Sequence, residues 1–255
     1  MKKALLGFLR FLVLLYILGA VLLYFLQRDL LYYPSQYIEH EYKEKIIINE
    51  GENLRVIVLN EGKKNAIIYF GGNGESVLSL AKRRAKELKE YTIYLVNYRG
   101  YGGSTGEPSK DGLYSDALVT HDSIKKKHTN IYVIGRSLGS GVASYVASKR
   151  EVKKLVLVTP YDSLVNVAQD KYPMYPINLI LKDKFDSVEN LKNIKDTKVL
   201  ILMAEGDKVI PNEHSYALAK SLPKELVRVE VITNKSHNSI SHEQRYFDVL
   251  NGFFE

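Results

Sequence analysis

Residues 4–26, ALLGFLRFLVLLYILGAVLLYFL, are apolar apart from Arg10. At 1.5 Å per residue a helix of that length reaches about 34 Å, enough to cross a hydrocarbon core of about 30 Å. Beyond it the pattern changes. Short runs rich in β-branched residues recur at 45–49, 54–60, 66–70, 92–97, 131–135, 154–159 and 198–203, and 226–232 alternates apolar and polar positions as an edge strand does. The first two predict a hairpin around Asn49-Glu50-Gly51. Helical patterns at 75–90, about 111–127, 138–148 and about 239–254 separate the later runs. Strands alternating with helices predict an α/β class with a mainly parallel, doubly wound sheet. The interval between 159 and 198 exceeds an ordinary connection. It carries YPMYPINLILKDKFD, with Pro173 and Pro176, and reads either as a lid-like insertion over about 161–190 or as a plain packing helix.

The apolar segment sets the predicted domain organisation: an N-terminal transmembrane anchor over 1–28, then one α/β domain over 29–255. A cleaved signal peptide is the rival. Its apolar region is usually about 7–15 residues and ends in a small-x-small site, and neither feature matches here. Lys2, Lys3, Arg10 and the amino terminus outweigh Arg28, so the expected topology is single-pass, with a cytoplasmic N-terminus and the domain on the extracytoplasmic side. Arg10, near one end, can snorkel to the headgroups, and Tyr32 and Tyr33 fit an interfacial aromatic belt as well as they fit an ordinary loop.

Composition narrows the chemistry. With no cysteine there is no disulfide, thiolate metal site or cysteine nucleophile. The net charge of +7 is spread over scattered lysines, which favours weak attraction to anionic headgroups over nucleic-acid binding. No His/Asp/Glu group has metal-ligand spacing. Neither G-x-G-x-x-G nor a Walker lysine is present, so no metal and no cofactor are implied.

Residues 133–140, VIGRSLGS, pass from a β-rich run into a serine boxed by Gly135 and Gly139. G-x-S-x-G between a strand and a helix is the sharp elbow that lifts a nucleophile to the carboxyl end of a sheet. Ser137 is therefore the candidate nucleophile. An acid and a histidine should follow in that order, each after a later strand. Asp207, in AEGDKVIP, and His237, in NKSHNSI, meet both conditions. Asp162, in TPYDS, is a rival acid. His242 is expected on the last helix and His214 on the helix after Asp207, while His40, His121 and His128 precede the serine and read as surface residues. The glycine-rich stretch 69–76, YFGGNGES, supplies candidate oxyanion donors: the N–H of Asn73, or alternatively of Gly72, with the N–H of Leu138. A second glycine-rich loop, NYRGYGGSTGEPS at 97–109, reads as architectural, with Arg99 and Glu107 as candidate pins.

Taken in order, LLYYPSQ, YFGGNGES, NYRGYGGSTGEPSKDGLYSDA, GRSLGSGVA, YPMYPINLILKDKFDS, EGDKVIP and SHNSI resemble the α/β-hydrolase superfamily, more narrowly its membrane-anchored α/β-hydrolase-domain (ABHD-type) serine hydrolases. The resemblance runs from about Leu30 to the C-terminus. It implies an α/β-hydrolase fold with a mainly parallel eight-stranded sheet, a Ser137–His237–Asp207 triad and an oxyanion hole at Asn73 and Leu138. Two positions depart from the family pattern: Gly71-Gly72-Asn73 stands where His-Gly-Asn is usual, and Asn97 where Asp often precedes Tyr-Arg-Gly. The expected activity is cleavage of carboxylic esters or thioesters of small-molecule or lipid acyl substrates through an acyl-serine. A serine peptidase of the same fold and a non-catalytic membrane tether are the alternatives.

Overall fold

The computed structural model describes residues 2–255. The apolar runs become strands β1 (Lys43–Asn49), β2 (Glu52–Leu59), β3 (Asn65–Phe70), β4 (Tyr91–Val96), β5 (Asn130–Arg136), β6 (Lys154–Val158), β7 (Lys198–Ala204) and β8 (Val227–Ile232). The helices are α1 (Lys2–Leu31), α2 (Ala81–Glu87), α3 (Lys110–Lys125), α4 (Leu138–Lys149), α5 (Leu164–Lys171), α6 (Ile177–Ile180), α7 (Ser187–Leu191), α8 (Asn212–Ser221) and α9 (Gln244–Phe254). One eight-stranded sheet runs in the order β1-β2-β4-β3-β5-β6-β7-β8. The β1–β2 and β2–β4 pairs are antiparallel and all others parallel. The opening hairpin turns through Glu50 and Gly51, at φ 52° and 84°, the pair of positive angles that a tight two-residue hairpin turn requires.

Alternate residues of the central strands face opposite layers. Ile68 and Phe70 pack with α3, α4, α7 and α8, whereas Ile67 and Tyr69 pack with α2 and α9. Both faces are thus covered, which is why β3 to β7 read as continuous apolar runs. The exception is β8, an edge strand with several exposed positions.

Helix α1 stands apart from this sandwich. Nearly all its side chains are exposed; only Gln27 is buried. An 18-residue stretch within it has a mean hydropathy of 2.5, and it is the one helix among the described residues long and apolar enough to cross a membrane. At its C-terminal end Tyr32 enters the core.

Three expectations shift. The pattern at 75–90 yields a helix only at Ala81–Glu87, and the residues before it form turns. The last helix is split: Ile240–His242 is a 3₁₀ turn and α9 starts after Glu243, so His242 sits exposed on the turn rather than on the helix. His121 is fully buried, not a surface residue; its Nε2 lies 3.2 Å from the Glu151 carbonyl on the neighbouring loop.

Candidate active site

The elbow joins β5 directly to α4. Ser137 holds φ 51° and ψ −119°, a conformation costly for any residue with a Cβ. Glycine is required on both sides. A Cβ on Gly135 would meet the Gly139 carbonyl oxygen at 2.3 Å, and one on Gly139 would meet that of Phe70 at 2.2 Å. The elbow is pinned below by the Ser137 N–H donating to the Val158 carbonyl at 2.9 Å.

The loops after β7 and β8 bring two further side chains to Ser137. Its hydroxyl donates to His237 Nε2 at 2.9 Å, and His237 Nδ1–H donates to Asp207 Oδ2 at 2.7 Å. The other carboxylate oxygen of Asp207 accepts the N–H groups of Val209 and Ile210, both at 2.9 Å, so the charge is held in one orientation. The Asp207 and His237 side chains are 1% and 6% exposed, a setting in which charge-assisted hydrogen bonds strengthen. Asp162, the rival acid, is committed elsewhere. It accepts from His214 Nδ1 at 2.9 Å, the Ser163 N–H at 2.6 Å and Asn166 Nδ2 at 2.6 Å.

Asn73 and Leu138 border the same space as Ser137. Among the described residues, neither of their N–H groups reaches a protein acceptor, as an oxyanion donor pair requires. The N–H of Gly72, the alternative donor, is engaged by Glu75 Oε2 at 3.0 Å. Asn73 itself is held from three sides. Its carbonyl accepts from Tyr101 Oη–H at 2.8 Å and from the Tyr33 N–H at 3.1 Å, and its Nδ2 donates to the Leu31 carbonyl at the end of α1.

A buried ionic network behind these groups escaped the sequence reading. Glu75 Oε1 accepts from Tyr69 Oη–H at 2.7 Å and Arg84 Nη2 at 2.8 Å, and Oε2 accepts from Arg136 Nη1 at 2.8 Å. Arg136 Nη2 continues to the His237 carbonyl at 3.0 Å and Asn238 Oδ1 at 3.1 Å. Burial alone would push the Glu75 carboxyl up. The Arg84 and Arg136 guanidiniums and the Gly72 N–H outweigh it and hold the group down at about 2. Glu75, with Arg136, thus ties the Gly72–Asn73 loop, the elbow and the His237 loop together. The available signals were Glu75 closing the glycine-rich stretch and Arg136 as the unspecified position of G-x-S-x-G. Arg99 does not pair with Glu107; it binds Asp116 through two 2.7 Å bonds and Glu50 at 3.1 Å, pinning the loop to α3 and the hairpin.

Two cavities meet at Ser137. One, of about 220 Å³, is apolar and is walled by Leu23, Leu30, Leu164, Val167, Ile177 and Ile180 among others. The other, of about 410 Å³, is polar and is lined by Ser76, Ser79, Asn238 and His242 on the His237 side. Among the described residues no three His, Cys, Asp or Glu side chains gather as a metal site.

Comparison with known proteins agrees with this architecture. A family profile described as alpha/beta hydrolase fold matches residues 65–185. An uncharacterised protein of Mycobacterium tuberculosis, Rv2307c, is 30% identical over 184 residues, covering 69% of this chain and 64% of that protein. Human Protein ABHD12B is 30% identical over 195 residues, covering 65% and 53% respectively. The chain therefore spans less than two thirds of the length of these curated relatives. Among solved structures, the Pyrococcus furiosus esterase Pf2001 superposes with a TM-score of 0.70 at 17% identity, over 88% of this chain and 96% of the esterase. The chain has the α/β-hydrolase fold and resembles ABHD-type α/β hydrolases in sequence.

Proposed function

We propose that this hydrolase is a membrane-anchored serine hydrolase that cleaves carboxylic ester or thioester bonds of acyl or lipid-like substrates. The observation that carries the reading is the hydrogen-bonded row Ser137 Oγ–His237 Nε2–His237 Nδ1–Asp207 Oδ2, at 2.9 and 2.7 Å. A serine hydroxyl is a weak nucleophile until a base takes its proton. His237 Nε2 accepts that proton as Oγ attacks the acyl carbonyl carbon. Asp207 fixes the tautomer with Nε2 unprotonated and stabilises the imidazolium that forms. The developing oxyanion takes hydrogen bonds from the Asn73 N–H on the loop after β3 and from the Leu138 N–H at the start of α4, where the helix dipole also favours negative charge. Imidazolium then protonates the leaving alcohol or thiol, and the acyl group stays on Ser137. Water, deprotonated by His237, cleaves the acyl-serine and restores the enzyme.

The pairing of an apolar and a polar cavity at the serine supports an amphiphilic acyl ester over a peptide. The peptidase reading would instead require faster turnover of peptide amides than of nitrophenyl esters. An intact row of donors and acceptors leaves the non-catalytic tether without support. Helix α1, apolar and exposed, supports the anchor at 1–28, and the lysines before it support a cytoplasmic N-terminus with the 29–255 domain outside. The test is hydrolysis of p-nitrophenyl butyrate by the purified full chain. Wild type is expected to turn it over and Ser137→Ala to fall by at least about 10⁴-fold. Equal rates would end the proposal.

A further inference from the structure

Helix α1 does more than precede the domain: from Tyr16 to Arg28 it is bound to the insertion between β6 and β7. Tyr16 stacks on Tyr175 with ring centroids 5.0 Å apart, and its hydroxyl donates to the Met174 carbonyl at 2.9 Å. Gly19 leaves room for Tyr175, whose hydroxyl a Cβ there would meet at 2.0 Å. Gln27 Nε2 donates to the Ile180 carbonyl at 3.1 Å and Gln27 Oε1 accepts the Lys182 N–H at 2.5 Å, and Arg28 pairs with Asp183 at 3.0 Å. From residue 26 back to Tyr16 the helix descends about 15 Å, half of a hydrocarbon core. An α1 that crosses a bilayer carries the tip of the insertion into it.

The insertion is composed for such a place. Residues 172–181, YPMYPINLIL, contain no charge and are flanked by Lys171 and Lys182. Met174 and Leu179 are 68% and 80% exposed, with no protein to cover them. Backbone polar groups in hydrocarbon must be satisfied internally. Gln169 Nε2 serves the carbonyls of Tyr172, Pro173 and Tyr175 at 3.0–3.4 Å, Tyr16 serves that of Met174, and Pro173 and Pro176 have no N–H to satisfy. Between this tip and α1 lies the apolar cavity. Its wall follows α1 from Leu23 to Leu31, roughly 12 Å, and ends at Ser137, Asn73 and Leu138.

Resting on the hydrolase reading above, we infer that α1 and segment 172–181 form an acyl pocket that opens into the bilayer, so that the tail of a membrane-resident ester enters from within the membrane while its polar head lies in the cavity beside His237. The substrate class is an amphiphile with a medium or long acyl chain, and the anchor is one wall of its binding site.

The chain has no tryptophan, which permits a direct test in phosphatidylcholine vesicles. A single tryptophan introduced by Leu179→Trp, or by Met174→Trp should the first fail to fold, is expected to be quenched by lipids brominated on the acyl chain. Ile48→Trp, on exposed β1, is expected to be quenched only by aqueous acrylamide. Activity reports on the pocket itself. Wild type should prefer p-nitrophenyl laurate to butyrate in kcat/KM, and Ala168→Phe, which narrows the cavity, should lower the laurate-to-butyrate ratio at least tenfold. Acrylamide quenching of the position-179 tryptophan without lipid quenching would overturn the inference, as would an unchanged ratio in Ala168→Phe. Failure of wild type to hydrolyse either ester would overturn the hydrolase reading itself, while the quenching still decides where the insertion lies.

Discussion

Glu75→Gln removes the charge that holds the site's three loops together while keeping the side chain's shape. In the folded protein the Glu75 carboxyl is held from an ordinary 4.5 down to about 2 by Arg84 and Arg136, whose attraction exceeds the burial penalty. Each pH unit of that displacement is worth about 1.4 kcal/mol, so the carboxylate contributes about 3 kcal/mol at neutral pH. Removal of one member of a buried ionic group costs about 3–5 kcal/mol in general, which agrees. The sign follows from the direction. The folded carboxyl titrates below the unfolded one, so its contribution is complete above pH 4.5 and fades as the pH falls toward 2. Urea unfolding of the detergent-solubilised full chain should place Glu75→Gln about 3 kcal/mol below wild type at pH 7, or about 6–12 °C in Tm. That gap should shrink steadily between pH 4.5 and 2. Activity on butyrate should fall at least about tenfold, because the Gly72–Asn73 loop and the His237 loop lose their common tie. A gap below about 1 kcal/mol at pH 7, or one that stays constant with pH, would refute the reasoning.

Other perturbations separate the roles further. Asp207→Asn turns an amide N–H toward His237 Nδ1, so the imidazole adopts the tautomer with Nε2 protonated and no longer accepts from Ser137; kcat should drop about 10⁴-fold with KM little changed, as steady-state kinetics will show. Ser137→Gly and Ser137→Ala should both be inactive, yet the glycine variant should be more stable by about 1 kcal/mol because φ 51° strains any residue with a Cβ; equal melting temperatures would contradict the strained elbow. Protease added outside spheroplasts should degrade the domain and spare the extreme N-terminus; complete protection would reverse the topology drawn from Lys2, Lys3 and Arg10.

The strands and the positions just past them were legible because parallel strands buried on both faces leave unmistakable apolar runs. Ser137, Asp207 and His237 each sit a few residues past one of them, so chain order placed them at one edge before any coordinates. The unread parts depend on contacts with no local signature. The stretch 75–90 has helical periodicity, but Glu75 turns inward to serve Gly72, Arg84 and Arg136, and the helix begins only at Ala81. Arg99 was read as a pin, but its partner Asp116 lies seventeen positions away on α3, out of reach of any local pattern. His121 lies on α3, whose inner face is covered by α4, a tertiary fact that the local polarity of 120–123 does not announce. Asp162 and Asp207 both follow strands, and only their histidine partners, His214 and His237, separate them.

The central claim is that Ser137 is a nucleophile activated by His237 and Asp207. A fluorophosphonate probe reacts with such a serine and with few others, so the decisive measurement is mass spectrometry of the probe-treated full chain after proteolysis. The account predicts one modified peptide, carrying the adduct on Ser137, absent from Ser137→Ala and greatly slowed in His237→Ala. An unmodified Ser137 in a folded wild-type preparation, or labelling at the same rate in His237→Ala, would contradict it.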